Sequence, residues 1–105
     1  MTELLGKASA VATTTAMVSA LKLKVPPQMS RLLIHVKENN TNAIKYQVLA
    51  SNDDVTYETL KAATTVAKNG STYETLSDPW LWVDVQVQDN VAETHGVATV
   101  VVSGV

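Results

Sequence analysis

The 105-residue chain has no cysteine and no phenylalanine, only three prolines and four glycines, and no marked excess of either charge. Without cysteine there can be no disulfide, thiolate zinc site or cysteine nucleophile, and cysteine usage leaves the redox compartment undetermined. Eight Lys and Arg against ten Asp and Glu leave a formal charge of -2, spread along the chain. No basic patch is present to neutralise a run of phosphates, so nucleic acid is not an expected partner. Apolar residues make up 46% of the chain but never form an uninterrupted stretch of the roughly 18 residues that a membrane-spanning helix needs. A soluble chain with no membrane partner is therefore expected. No glycine-rich loop precedes a helical pattern, and no Gly-x-Ser-x-Gly elbow occurs, so neither phosphate cradling nor acyl transfer is supported.

What the chain does have is Val and Thr, whose branched side chains lose freedom in a helix and pack well on a pleated surface. The central stretch alternates Ile44, Tyr46, Val48 and Ala50 with Lys45, Gln47, Leu49 and Ser51, the period of a strand with one buried face. Ser51-Asn52-Asp53-Asp54 supplies short polar side chains that bond their own backbone, so a turn is expected there. A second alternating run, Val55, Tyr57, Thr59, then completes a hairpin.

The remaining segments read the same way. Residues 1–7 are expected to be an arm or a short helical turn, leaving residues 8–105 as one β-sandwich domain. The run Ala8 to Ala20 superficially resembles the apolar part of a secretory signal, but Glu3 precedes it and three threonines interrupt it, which favours strand. Leu21, Leu23 and Val25 alternate with Lys22 and Lys24 until Pro26-Pro27, which cannot donate to a ladder. Leu32, Ile34 and Val36 alternate with Leu33, His35 and Lys37 before the turn formers Asn39-Asn40-Thr41-Asn42. Ala62 to Ala67 extends the β region, Lys68-Asn69-Gly70-Ser71 is expected to be a hairpin turn, and Thr72 to Leu76 to pair back. Leu81, Val83, Val85 and Val87 form an apolar face opposite Trp80, Trp82, Asp84, Gln86 and Gln88. Val97 to Val105 is apolar on both faces, as in a strand at mid-sheet or at a subunit contact. Seven or eight short strands with no crossover helix predict an all-β fold, an antiparallel β-sandwich or jelly roll.

Candidate chemistry is sparse. Asn52, Asp53, Asp54 and Glu58 offer oxygen ligands but lack the spacing of a calcium loop, so a turn is the better reading. His35 and His95 are far apart and have no third ligand, so neither a metal nor a cofactor is expected. Trp80 and Trp82 leave three readings open: a platform for a sugar ring, a cover on the core, or an anchor at a subunit contact.

Two segments together carry a family resemblance. Tyr46-Gln-Val-Leu-Ala-Ser-Asn-Asp-Asp-Val-Thr-Tyr57-Glu-Thr-Leu60 resembles the strand-turn-strand of discoidin-like jelly rolls and of small β-sandwich proteins of tailed-phage particles. In these a Ser-x-Asp-Gly-x-x-aromatic-x-x-Leu hairpin recurs. Asp78-Pro79-Trp80-Leu81-Trp82-Val-Asp-Val-Gln-Val resembles a later strand of the same pattern. Asp54 departs from it, standing where Gly is usual. The short chain and the missing cysteine pair favour the phage proteins over secreted discoidin domains. The resemblance implies a non-enzymatic virion structural protein, a capsid decoration or cement protein or a tail or neck component. Such a protein would be made in the bacterial cytoplasm and assemble into the virion as a homo-oligomer, a trimer by expectation, against the major capsid or tail protein. Leu4, Leu5 and Val11 of the N-terminal region, with Trp80 and Trp82, are the expected contact residues. The alternative is a carbohydrate-binding module using Trp80 and Trp82.

Overall fold

In the computed structural model, which describes residues 2–105, each run with period-two alternation falls on a strand, with Val25, Val55 and Leu81 just outside its ends. The strands are β1 (Glu3–Ala12), β2 (Val18–Lys24), β3 (Leu32–Glu38), β4 (Ile44–Ser51), β5 (Tyr57–Val66), β6 (Ser71–Leu76), β7 (Trp82–Asp89) and β8 (Val97–Gly104). Two four-stranded sheets have the orders β1-β8-β3-β6 and β2-β7-β4-β5, and every neighbouring pair is antiparallel. Of the successive connections only β4 to β5 stays within a sheet, and the others pass from one sheet to the other. This is an eight-stranded jelly roll, a sandwich closed by Greek-key crossings. The all-β expectation holds.

The inward residues are the ones the alternation selects. Leu32, Ile34 and Val36 of β3 meet Ile44, Tyr46 and Val48 of β4, Val83, Val85 and Val87 of β7, and Ala98, Val100 and Val102 of β8 in one buried cluster. Most are β-branched, with the stiff side chains that pack best on a pleated face. β8 lies between β1 and β3, so its second apolar face is half covered, which places the nearly all-apolar strand at mid-sheet. At the sheet edges Tyr46 Oη donates to Glu74 Oε1 at 2.7 Å, and Lys61 Nζ lies 3.4 Å from the same oxygen, tying β4 and β5 to β6. Burial, and then the bond to Glu74, push the Tyr46 phenol up to about 12.

Several expectations change. Residues 3–7, expected as part of an arm, lie within β1 along the edge of β8, with Glu3 opposite Gly104 and Lys7 opposite Val101. The unpaired side of β8 offers donors and acceptors that a dangling arm would leave unmatched. Met1 lies outside the described residues. β1 carries two irregularities, one between Leu4 and Gly6 and one between Ala8 and Val11, where Ala10 has a φ of 54°. Such bulges blunt an edge strand. The Asn69-Gly70 turn forms, with Gly70 N donating to Ala67 O at 2.8 Å and Asn69 at a φ of 58°. It is not a hairpin, because β6 pairs with β3 in the opposite sheet from β5. Leu81 stands 43% exposed rather than in the core, because β7 begins only at Trp82. Val55 is 82% exposed and precedes β5.

Glu38 ends β3 facing inward with no solvent exposure. Its carboxylate accepts from Thr41 N at 2.8 and 3.1 Å, from Asn69 N at 2.9 Å and from Val97 N at 3.2 Å. One side chain thus joins the β3–β4, β5–β6 and β7–β8 connections. Burial by itself raises its pKa, but the backbone N–H groups of Asn69, Thr41, Val97 and Asn42 outweigh it and hold the carboxyl below its ordinary 4.5.

Candidate functional site

The β4–β5 turn is built by its own short side chains. Ser51 Oγ accepts from Asp53 N at 3.2 Å and Asp54 N at 3.0 Å and donates to Asp53 Oδ1 at 2.8 Å. Asp53 Oδ1 also accepts from Thr56 N at 2.7 Å and Val55 N at 2.9 Å. These donors, with Thr56 first, hold the Asp53 carboxyl down at about 2. An oxygen that would serve a calcium ion is thus already committed to the backbone, which is the turn reading of this motif. Asp54, standing where the resembled hairpin has Gly, adopts a φ of 60°. Asp is one of the few non-glycine residues that accept that conformation readily.

Asp54 projects onto the outer face of the β2-β7-β4-β5 sheet, where Lys22 Nζ lies 2.6 Å from its Oδ1. Tyr57 Oη donates to the same oxygen. The Lys22 ammonium sits 5.4 Å from the Tyr57 ring centroid and 5.7 Å from that of Trp82, within cation–π range of both. Its hydrogen bond to Asp54 raises the Lys22 pKa, and the same bond lowers that of Asp54. Further along this face Ser19 Oγ donates to Asp84 Oδ1 at 2.6 Å, Gln86 Nε2 to Asp84 Oδ2 at 2.9 Å, and Gln47 Nε2 to Gln86 Oε1 at 2.6 Å. This polar ladder leaves few unmatched groups.

Trp80 and Trp82, paired in the alternation, are placed differently. Trp82 opens β7 beside Lys22, whereas Trp80 lies in the segment before the strand, with its backbone N donating to Asp78 O at 2.9 Å. That segment is pinned to the β4–β5 turn by Asn52 Oδ1, which accepts from Leu81 N at 3.2 Å. Trp80 borders depressions on both sides, one with Pro26, Met29 and Leu76 and one with Asn52, Asp53, Thr56 and Glu58. Its indole Nε1 is out of contact with solvent and has no acceptor.

The opposite outer face, on β1-β8-β3-β6, differs in chemistry. Register aligns Leu4, Ser103, Leu33 and Thr75 across the sheet, then Lys7, Val101, His35 and Tyr73, then Thr99, Lys37 and Ser71. These rows hold no carboxylate. Leu4, Leu33 and Tyr73 are exposed by 63%, 41% and 67%. Of the expected contact residues, Leu4 stands on this face, while Leu5 and Val11 pack against the core. Leu5 and Val11 lie on the side of β1 opposite to Leu4.

His35 is mid-strand on this face, and His95 sits in the β7–β8 connection. Among the described residues no group of three or more His, Asp or Glu side chains is placed to hold a metal ion. His95 Nδ1 lies 2.9 Å from Asp89 Oδ2, while Thr13 Oγ1 donates to Asp89 Oδ1 at 2.6 Å and accepts from Gly96 N at 2.8 Å. Nucleophilic catalysis needs the imidazole between hydroxyl and carboxylate. Here the carboxylate is in the middle and the hydroxyl is buried, so the cluster is a staple between the β1–β2 and β7–β8 connections. Burial tends to raise the Asp89 pKa, but the bonds from Thr13 and His95 bring it below its ordinary value. Asp89 and Glu38 were not singled out by motif, because an acidic residue closing an apolar strand reads as the start of a solvated turn.

No family model matches the chain, and no curated protein matches it. Solved structures do. The PBSX exported protein XepA aligns with a TM-score of 0.62 at 17% identity, over 97% of this chain and 36% of XepA. Tripeptidyl Peptidase 2 aligns at 0.62 and 6% identity, over 90% of this chain but only 9% of that enzyme. The SPBc2 prophage-derived protein YomS aligns at 0.54 and 12% identity, over 97% of this chain and 95% of YomS. At these identities the likeness is one of fold.

Proposed function

We propose that this jelly roll is a structural protein of a bacteriophage particle, a capsid decoration or cement protein or a tail or neck component, that works by self-association and by gripping its neighbours. The observation that carries this reading is the β1-β8-β3-β6 outer face, where Leu4, Leu33 and Tyr73 stand exposed in rows without carboxylates. Exposed apolar and aromatic side chains set on a rigid sheet, in rows free of carboxylates, have the composition of a contact surface. The fold shared with XepA, a PBSX exported protein, and with YomS, a prophage-derived protein, supports a phage origin. Because the same fold forms a small part of a peptidase, the non-enzymatic part of the proposal rests on this chain's own residues. Its hydroxyl, imidazole and carboxylate are joined in an order that does not activate a nucleophile. The protein is made in the host cytoplasm and ends in the virion, as a trimer set against the major capsid or tail protein.

Size-exclusion chromatography with light scattering tests this. A trimer gives a mass near three times 11.3 kDa, and Leu33→Asp with Tyr73→Ser should dissociate it without changing the β-type circular dichroism spectrum. A monomer at micromolar concentration that binds neither itself nor a purified particle would overturn the proposal.

A further inference from the structure

The side of Trp80 that faces the β4–β5 turn borders a depression of about 350 Å³ whose other walls are Asn52, Asp53, Thr56 and Glu58. It is a shallow depression open to solvent, able to take one face of a ligand rather than to enclose it. Its walls combine an indole with an amide, a hydroxyl and two carboxylates. The polar groups are held in place and are only partly used. Asn52 spends its Oδ1 on Leu81 N, which leaves the Nδ2 donor. Asp53 spends its Oδ1 on Ser51, Val55 and Thr56, which leaves Oδ2 as an acceptor. Neither needs to reorganise to meet a ligand, so the entropic cost of binding is reduced.

We propose that this depression is a binding site for a neutral sugar ring. A pyranose presents an apolar C–H face, which suits an indole, and a rim of hydroxyls that both donate and accept, which suits an amide N–H beside two carboxylates. Asp53 and Glu58 disfavour an anionic ligand, because a second negative charge would sit against them without a cation among the lining residues. Trp82 does not belong to the site, since its ring is covered by the Lys22 ammonium. The site is separate from the β1-β8-β3-β6 face, so it stands or falls independently of the assembly proposal.

Tryptophan fluorescence titrations with cellohexaose, chitohexaose, mannohexaose and xylohexaose test the site, with trigalacturonic acid as the anionic control. At least one neutral oligosaccharide should give a saturable change, and the acid none. Trp80→Ala should abolish binding measured by calorimetry, and Trp82→Ala should preserve it. The exposed Glu58→Ala, which makes none of the bonds that hold the turn, should weaken binding about tenfold, the loss of one charge-assisted hydrogen bond. It keeps the test decisive if Trp80→Ala fails to fold. No saturable response to any of the four neutral probes would overturn the site. So would binding that survives both Trp80→Ala and Glu58→Ala, or binding that depends on Trp82.

Discussion

Replacing Glu38 by Ala should be among the most damaging single substitutions in the chain. The carboxylate has no solvent exposure and accepts from the backbone N–H groups of Thr41, Asn69 and Val97. Alanine leaves all of these donors without their acceptor in one step and opens a void between three connections. A buried donor left unmatched costs about 1–3 kcal/mol, and water entering at the exposed Thr41 recovers some of that, so about 3–4 kcal/mol is expected in total. Domains of this size have about 5–15 kcal/mol of stability. With a urea m-value of about 1–1.5 kcal/mol per molar, the unfolding midpoint should fall by roughly 2–4 M. Glu38→Gln keeps one acceptor oxygen but turns an NH2 group toward N–H donors, and should lose about 2 kcal/mol. The pH dependence follows from the lowered pKa. A carboxyl whose folded pKa lies below its ordinary 4.5 adds stability that is present above that value and disappears as pH falls through the folded pKa. The wild-type protein should therefore lose stability below about pH 4.5, and Glu38→Ala should lose less over the same interval. Urea titrations of the three proteins at pH 7 and pH 3.5 measure both effects. A midpoint shift of less than roughly 0.5 M for Glu38→Ala at pH 7 would mean that solvent satisfies those donors, and would refute the reasoning.

Two further substitutions test the neighbouring cluster at the same end of the sandwich, where Gly96 precedes the Val97 that Glu38 holds. Thr13→Val removes the 2.6 Å bond to Asp89 and the acceptor for Gly96 N, and should cost about 2 kcal/mol by urea titration; a neutral result would show that Thr13 is a spacer only. Gly96→Ala would set its new Cβ 2.5 Å from both Asn42 O and Ile44 Cγ2, so a loss of about 2–3 kcal/mol in thermal or urea unfolding is expected from overpacking. A wild-type Tm in that variant would mean that the β7–β8 connection shifts without strain.

The alternation of side chains by itself determined that the chain is all-β and which side of most strands is buried. Leu32, Ile34 and Val36, or Val83, Val85 and Val87, have one possible inward side once the period is two. The Ser51–Asp54 turn was equally legible, because its bonds are local. Tertiary structure alone decided which strands pair. Asn69-Gly70 turns the chain as its residues require, yet β6 leaves β5 for β3, since a four-residue connection can either fold back in one sheet or cross the gap to the other. Local chemistry does not distinguish the two routes. The separation of Trp80 from Trp82 follows from where β7 starts, and the inward placing of Leu5 and Val11 from the pairing of β1 with β8. The burial of Glu38 depends on three connections meeting at one end of the sandwich, and their backbone N–H groups are brought together only after both sheets have formed.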